Sequence, residues 1–516
     1  MRFVADSARV GSAETTARIS AALAAGAVSV LTLPPFDLLI LVPLAWSALL
    51  ICLTGTTPRT ALVVGFTFGL GQFGAGLSWI TESFYVDAQR FGALALPSVA
   101  ALSALLAVFP AVASAVFARF SRVSGSGVPA ALLLSSTWTC GEWLRGHLLT
   151  GFPWNLAGYA VADFDALRQP TAWLGSYGMS FVVVLIGAMP GAAWMARGSF
   201  RRAALASAVL LPLALWTLGI SRLNDPEPMP TGVSVRVVQG NFPQTEKWRP
   251  GAKYKALNRY LSLTAAGRAV DIVLWPETAF PGYLAEDVEA RASIAATLPP
   301  RTLLMTGVPA RVEIAGQTNY YNTVQVYDSS GDDLASYAKH HLVPFGEYTP
   351  LPNWLPLDRI VETPGDFTAG SGPRTLVLPG IPAVAPVICY EIIFPGHVID
   401  PQFRAQWIFN ATNDAWFGMS IGPKQHFASA KMRAVEEGLP VIRAANTGIS
   451  AVIDAKGRTV AQMDTGASGT IDAQLPPALP RTLYAQFGDF MLILVLALFW
   501  SLAAVMGWCA EGFRNR

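Results

Sequence analysis

The sequence predicts a multi-span α-helical membrane domain joined to a large α/β domain. The chain has 516 residues, a mean hydropathy of +0.41 and 14% charged residues. Because a soluble chain usually carries about 25% charged residues, part of this chain should lie in lipid. In its middle, short β-branched runs alternate with helical patterns, which is typical of a layered α/β domain. The net charge of +2 and the lack of a basic stripe interleaved with aromatics argue against a nucleic-acid partner.

Eight apolar stretches predict the membrane spans, since a spanning helix needs about 20 apolar residues. They cover residues 19–33, 36–53, 61–80, 93–117, 128–149, 177–196, 203–220 and 490–508. The first seven define a membrane domain over 1–222, and the last defines a C-terminal transmembrane helix within 487–510. The first stretch is short and follows Arg2, Arg9 and Arg18, so a cleaved signal peptide is the alternative interpretation.

Basic residues in the short loops predict the orientation. With a cytoplasmic N-terminus, the loops on the inner side contain Arg59, Arg119, Arg122 and the cluster around Arg201. Cytoplasmic loops carry an excess of Lys and Arg, so both termini should be cytoplasmic. The region 221–488 should then lie outside the membrane, in the periplasm if the source is a Gram-negative bacterium.

Reactive side chains follow three of the predicted strands. Glu277 ends an apolar run, Lys339 and Glu347 lie in a second motif, and Cys389 ends a third strand. Cys389 is the one cysteine in the polar middle of the chain, so it has no internal disulfide partner there. Each motif alone is weak, because a buried cysteine is more often a packing residue than a nucleophile. No Cys/His spacing suits a metal, and no cofactor is expected.

Taken together, these motifs resemble a known set. WPE at 275–277, KxHLVPFGE at 339–347 and CYE at 389–391 resemble the nitrilase superfamily, whose catalytic triad is Glu-Lys-Cys. With membrane spans on both sides, the chain resembles the apolipoprotein N-acyltransferase family, which adds the third acyl chain to bacterial lipoproteins. QGNFPQ at 239–244, GFPWN at 151–155, NDAWFG at 413–418 and RAANTG at 443–448 fit the same family. The resemblance implies a nitrilase-like α-β-β-α sandwich over 232–478.

The resemblance also implies roles for individual residues. Glu277 would be the proton acceptor, Cys389 the nucleophile, and Lys339 the cation that stabilises the thiolate and the oxyanion. A thiol with an ordinary pKa near 8.5 needs such help to become a thiolate. Residues in supporting roles would be Glu347, Tyr390, Glu391 and Trp248. For Tyr390 and Glu391, a simple packing role is the open alternative.

The implied reaction is a ping-pong acyl transfer in the bacterial inner membrane. Cys389 would attack the sn-1 ester of a phospholipid, with phosphatidylethanolamine the expected donor, and form a thioester. The N-terminal α-amine of a diacylglyceryl-cysteine apolipoprotein would then take the acyl chain. Because water must not compete, the site should be apolar and near the bilayer. Trp354, Trp416 and Phe417 are candidates for loops that gate acyl-chain entry, with ordinary loop packing as the alternative.

Two other functions remain open at this stage. A membrane-anchored amidase would use the same triad with water as the acyl acceptor, although one span would suffice to anchor it. A transporter or scaffold would not need the three triad residues together. In the membrane domain, the spacing of Glu142 and Arg145 places them on one helix face. They are either a functional site or a local ion pair.

Overall fold

The structure, a computed structural model, describes residues 2–124, 127–350 and 365–501. The chain forms two compact units. The first contains the chain up to Ser78, Leu96–Asp225 and the chain from Leu483 onward. The second contains Trp79–Ala95 and Pro226–Thr482, so two separate pieces of chain build it.

Helices dominate the first unit, and strands dominate the second. The α-helices are α1 (Arg2–Val30), α2 (Val42–Leu53), α3 (Pro58–Gly76), α4 (Thr81–Tyr85), α5 (Ala88–Phe91), α6 (Ala95–Ser124), α7 (Val128–His147), α8 (Asp165–Arg168), α9 (Thr171–Met195), α10 (Gly198–Leu223), α11 (Ala252–Thr264), α12 (Val288–Thr297), α13 (Gly422–Glu437), α14 (Leu483–Phe487) and α15 (Phe490–Ser501). The strands are β1 (Ser234–Gln239), β2 (Ile272–Trp275), β3 (Leu303–Ile314), β4 (Gln317–Tyr327), β5 (Asp333–Ala338), β6 (Leu376–Leu378), β7 (Ile381–Ile388), β8 (Trp407–Thr412), β9 (Val441–Ala445), β10 (Ser450–Ile453), β11 (Thr459–Met463) and β12 (Gly469–Gln474).

Several apolar helices, most of them in the first unit, fit a membrane domain. Within the described residues, three helical stretches are long and apolar enough to cross a membrane: Ala88–Ser121, Thr171–Met195 and Gly198–Leu223. A fourth results if the bent pair Pro58–Gly76 and Ser78–Tyr85 counts as one span. The other predicted stretches fall largely on shorter or less apolar helices, and 502–508 of the last one lies outside the described residues. The count of eight spans therefore stays a prediction.

Glycines let the first helices pack closely. A Cβ atom on Gly71 of α3 would lie 2.1 Å from the carbonyl oxygen of Leu23 in α1, and one on Gly26 would lie 2.0 Å from that of Phe68. Such distances exclude any side chain, so the backbones of α1 and α3 touch directly. This is the close approach that small residues permit between helices in a membrane.

Glu142 and Arg145 both hold one loop of the first unit. Glu142 Oε1 accepts a hydrogen bond of 2.9 Å from the backbone N–H of Ala157. Arg145 Nη1 donates to the carbonyl oxygens of Phe152 and Trp154, at 2.5 and 2.8 Å. Both side chains are buried, and their bonds stabilise the loop 152–157 that carries the GFPWN motif. These contacts favour a structural role for the pair.

Two six-stranded sheets pack face to face in the second unit. Their strand orders are β12-β1-β2-β3-β4-β5 and β11-β10-β9-β8-β7-β6. Apolar side chains from both sheets fill the space between them, including Val237, Leu274, Ile388, Phe409 and Ile442. Each such fully buried side chain contributes roughly 1.5–3 kcal/mol, which makes this layer the main core of the unit.

Helices cover the outer faces of both sheets. Leu257 and Tyr260 of α11 and Ile294 of α12 pack in one cluster with Val273 and Trp275 of β2. On the other sheet, α13 is almost wholly buried beside β9. The unit is therefore an α-β-β-α sandwich, as the sequence predicts. The segments that follow β2, β5, β7 and β8 all carry candidate site residues.

Candidate active site

The nucleophile candidate lies at a strained turn. Cys389 follows β7 directly, begins the 3₁₀ helix Cys389–Ile393 and is 9% exposed. Its φ angle of +49° lies in the left-handed region, which costs a residue with a side chain about 1–2 kcal/mol. Strain of this kind persists only where neighbouring groups fix the backbone.

A buried polar cluster fixes that backbone. The ring nitrogen Nε2 of His426 lies 3.1 Å from the carbonyl oxygen of Cys389, and Nδ1 lies 2.9 Å from Asp414 Oδ1. Arg443 Nη2 donates to Asp414 Oδ2 at 2.6 Å and lies 3.1 Å from Nδ1. The His426 ring therefore lies within hydrogen-bond distance of both the Asp414 carboxylate and the carbonyl oxygen of Cys389. His426, Asp414 and Arg443 are all at most 1% exposed, so the cluster is shielded from water.

The charges within this cluster balance. Burial alone would raise the pKa of Asp414, but Arg443 and His426 outweigh it and lower the pKa to about 2. Burial, reinforced by the charge of Arg443, lowers the pKa of His426 below its ordinary value. The cluster is therefore a carboxylate–guanidinium pair beside a neutral imidazole. It holds the backbone of Cys389, the candidate nucleophile, in place.

The base candidate Glu277 shares a hydrogen-bond donor with a second carboxylate, that of Glu347. It follows β2, and both it and Glu347 are buried. The amide Nδ2 of Asn322, on β4, donates to Glu277 Oε1 at 2.7 Å and to Glu347 Oε1 at 2.8 Å. Gly307 of β3 leaves room for this arrangement, since a Cβ there would lie 2.4 Å from the Cα of Glu277.

Lys339 lies between these carboxylates. Its Nζ is 2.8 Å from Glu347 Oε2 and 3.7 Å from Glu277 Oε1. Burial alone would lower the pKa of Lys339, but the charges of Glu347 and Glu277 outweigh it and raise the pKa above its ordinary value. Lys339 is therefore a fixed cation. Glu347, which also accepts from the backbone N–H of Val343 at 2.8 Å, holds it in place.

The thiol of Cys389 is protonated at rest. Burial raises its pKa well above the ordinary value, and the charge of Glu277 raises it further. Lys339 acts in the opposite direction. These opposing effects place the thiol in the field of both predicted partners. A thiolate would have to form during the reaction, by proton transfer to a nearby base.

Glu391 connects the nucleophile turn to the lysine loop. Its Oε2 accepts from the backbone N–H of Ile388 at 2.7 Å, and its Oε1 accepts from Tyr337 Oη and from the backbone N–H of His340, both at 2.8 Å. The ring of Tyr390 packs edge-on against Phe394, with 5.1 Å between centroids. The structure thus gives Glu391 a positioning role and Tyr390 a packing contact.

The remaining predicted residues lie on loops. Trp248 is 36% exposed, and Trp354 lies outside the described residues. Trp416 and Phe417 are half-buried rather than exposed. The Phe417 ring lies 4.5 Å from that of Trp79, and the carbonyl of Trp416 accepts from Ser83 Oγ at 2.9 Å. Residues 79–95 therefore brace this loop from within the same unit.

Sequence reasoning assigned no role to several residues that the structure brings to the site. They are Asn322, Asp414, His426, Arg443 and Lys247. Asp414 and Arg443 fall within the NDAWFG and RAANTG stretches, which fitted the family pattern without suggesting a function. Asn322 gave little signal, because β4 contains several other polar residues; its burial, which demands hydrogen-bond partners, is seen only in the structure.

A glutamate, a lysine and a cysteine after the strands of an α-β-β-α sandwich define the class of the second unit, which is the nitrilase superfamily. The carbon-nitrogen hydrolase family model matches residues 234–483. The model of the apolipoprotein N-acyltransferase N-terminal domain matches residues 25–189.

Similar proteins extend the match over nearly the whole chain. An apolipoprotein N-acyltransferase of Bradyrhizobium diazoefficiens is 42% identical over 93% of this chain and 93% of its own length. Another, of Rhodopseudomonas palustris, is 38% identical over 92% of this chain and 93% of its own. The chain belongs to the apolipoprotein N-acyltransferase family.

Proposed function

We propose that this chain transfers an acyl chain from the sn-1 position of a phospholipid to the N-terminal α-amine of a diacylglyceryl apolipoprotein. A thioester on Cys389 is the intermediate, and phosphatidylethanolamine is the expected donor. The observation that carries the proposal is a buried Glu277–Lys339 pair, 3.7 Å apart, whose charges both act on the pKa of the buried Cys389 thiol. The coarser conclusion, a lipoprotein acyltransferase of the membrane, follows from family membership.

In the first half-reaction, Glu277 takes the proton of the Cys389 thiol. The thiolate attacks the ester carbonyl carbon, and the oxyanion that forms is stabilised by Lys339 Nζ. When the carbon–oxygen bond breaks, Glu277 returns the proton to the leaving alkoxide, and lysophospholipid departs. The site then holds an acyl thioester and an ionised Glu277.

In the second half-reaction, the apolipoprotein α-amine attacks the thioester. Glu277 accepts a proton from the attacking nitrogen and passes it to the departing sulfur of Cys389, which restores the thiol. Cys389 and Glu277 are at least 91% buried, and this limits competition from water. We further propose that Trp354, Trp416 and Phe417 gate entry of the acyl chain.

The proposed location is the bacterial inner membrane, with the catalytic unit periplasmic and both termini cytoplasmic. A cysteine at Lys255, an exposed position, in a Cys140→Ala background tests this orientation. A membrane-impermeant maleimide should label it in intact spheroplasts as well as after lysis. Labelling that appears only after lysis would reverse the proposed topology.

The thioester is tested without an acceptor. Purified protein is incubated with phosphatidylethanolamine labelled in its sn-1 chain, and peptides are analysed by mass spectrometry. The acyl mass should appear on Cys389 in the native protein and in Cys140→Ala, which removes an exposed cysteine of the first unit. It should be absent from Cys389→Ala. A native protein that transfers acyl chains but carries no acyl mass on Cys389 would exclude the covalent route.

The acceptor is tested on the loaded enzyme. A diacylglyceryl-cysteine peptide with a free α-amine should discharge the thioester much faster than the same peptide with an acetylated amine. Equal rates, with free fatty acid as the product of both, would indicate that water is the acceptor. The chain would then act as a membrane-anchored hydrolase.

A further inference from the structure

Lys247 is a buried lysine that the proposed mechanism does not use. It follows the 3₁₀ helix Gln244–Glu246 and is 3% exposed. Its Nζ lies 3.4 Å from the carbonyl oxygen of Glu277. A lysine ammonium has three hydrogens to donate, and its charged bonds are usually shorter than 3 Å. One long bond leaves this buried charge poorly compensated by hydrogen bonding.

The loop that carries Lys247 is fixed in place. The Gln244 side chain accepts from Asn413 Nδ2 at 2.9 Å, just after β8. Asn446, after β9, donates from Nδ2 to Asn413 Oδ1 at 3.1 Å and to the carbonyl of Phe242 at 2.8 Å. The lysine is therefore held beside Glu277 by contacts to neighbouring strand ends. Its position is built into the fold.

The charges of the buried side chains around Lys247 suggest a role for it. Glu277 and Glu347 carry two negative charges, and Lys339 supplies one positive charge. Of the other buried acids nearby, Asp414 has a charged partner in Arg443, and Glu391 accepts hydrogen bonds from Tyr337 Oη and the backbone N–H of His340. Lys247 supplies the missing charge. Without it, the buried site would hold an excess negative charge, which would oppose the formation of a further anion at the Cys389 thiol.

Glu277 is the less firmly held of the two carboxylates. It lies 3.7 Å from Lys339, whereas Glu347 lies at 2.8 Å and also accepts from Val343. Lys247, beside the backbone carbonyl of Glu277, adds a positive charge on this side of the site. We propose that Lys247 is a second active-site cation, which offsets the charge of Glu277 and supports the thiolate of Cys389. This role rests on Cys389 being the nucleophile of the proposed function.

The charge of Lys247 depends on pH in the working range. Burial lowers the pKa of Lys247 to about 8, and the negative charges of Glu277 and Cys389 oppose the decrease. The cation is present below that pH and is lost as the pH rises through it. Acyl loading, in which Glu277 takes the thiol proton beside this cation, should therefore decline on the alkaline side of about pH 8. An arginine, which stays charged, should move the decline upward.

The test separates the charge from the hydrogen bond. Lys247→Arg keeps the charge, Lys247→Gln keeps a donor without charge, and Lys247→Met keeps neither. Lys255→Gln, at an exposed position of α11, is the matched control. The rate of Cys389 alkylation by iodoacetamide is measured by mass spectrometry from pH 6 to 10 on full-length protein, alongside acyl loading from phosphatidylethanolamine. Thermal unfolding checks the fold.

Lys247→Gln and Lys247→Met should both slow alkylation and loading at pH 7 by at least about tenfold, since a neighbouring charge shifts a pKa by roughly 1–3 units. Lys247→Arg should recover most of the rate and extend it to higher pH. A Lys247→Gln protein within twofold of native, or a Lys247→Arg protein as slow as Lys247→Met, would overturn the role. If native Cys389 is alkylated normally but never loaded by phospholipid, the proposed function fails while the alkylation series still tests Lys247.

Discussion

Replacing Asn322 with leucine removes the one donor that bridges the two active-site carboxylates in the described structure. Asn322 Nδ2 donates to Glu277 at 2.7 Å and to Glu347 at 2.8 Å. Each is a bond to a charged group, with a net contribution of about 1.5–3 kcal/mol. Some of this loss is offset if the carboxylates turn toward Lys339. A net loss of about 3 kcal/mol lowers kcat/KM by roughly a hundredfold, at 1.36 kcal/mol per factor of ten.

The assay for Asn322→Leu is steady-state acyl transfer, together with the rate of Cys389 acylation in a single turnover. Both rates should fall together, because in the proposed mechanism Glu277 acts in the step that forms the thioester and Glu347 holds Lys339. Asn319→Leu, on the same strand but partly exposed, is the matched control and should stay near the native rate. An Asn322→Leu protein that folds and retains more than half of the native kcat/KM would refute the reasoning.

Three further predictions follow from the cluster behind Cys389 and the loop beside it. His426→Leu should slow Cys389 acylation by about tenfold, because it removes one hydrogen bond of roughly 1 kcal/mol and loosens the backbone at Cys389. His426→Gln should recover part of the rate by restoring a donor. Equal acylation rates for the two variants would contradict the positioning role of His426. Because the pKa of Asp414 is lowered to about 2, the ionised carboxylate should stabilise the fold by about 2 kcal/mol above about pH 4, and this stabilisation should be lost as the pH falls toward 2. In Asp414→Asn, the free energy of unfolding should therefore vary less with pH between about 4 and 2. Trp416→Ala should reduce turnover with both substrates, as should Trp354→Ala; unchanged turnover in a folded protein would end the gating proposal.

The sequence was most informative where chemistry and strand position coincide. Glu277 and Cys389 each follow a short apolar strand, and the ends of neighbouring strands meet in an α/β sandwich. Together with Lys339 they were selected because the three motifs resemble the nitrilase set. The same alternation of strands and helices predicted the layers of the second unit. These features depend on local patterns, which sequence reasoning handles well.

Other parts of the site depend on contacts between residues far apart in the chain. Asn322 meets Glu277 across 45 positions, and Lys247 meets the carbonyl of Glu277 across 30. No local pattern reveals such pairings, since a lysine in a loop and an amide in a strand usually have ordinary roles. The His426 contact to a backbone carbonyl leaves no side-chain motif that links it to Cys389. Its function becomes apparent only in three dimensions.

The inclusion of Trp79–Ala95 in the catalytic unit has a practical consequence for protein engineering. A fragment from Pro226 to Thr482 would contain both sheets and the triad, yet it would lose Trp79 from the Phe417 ring and Ser83 from the Trp416 carbonyl. A chimera that takes only residues 226–482 from a relative would pack the relative's loop around Phe417 against residues 79–95 of this chain, which did not evolve with it. Transplanting this catalytic unit therefore requires two crossover regions, one of them between membrane helices α3 and α6.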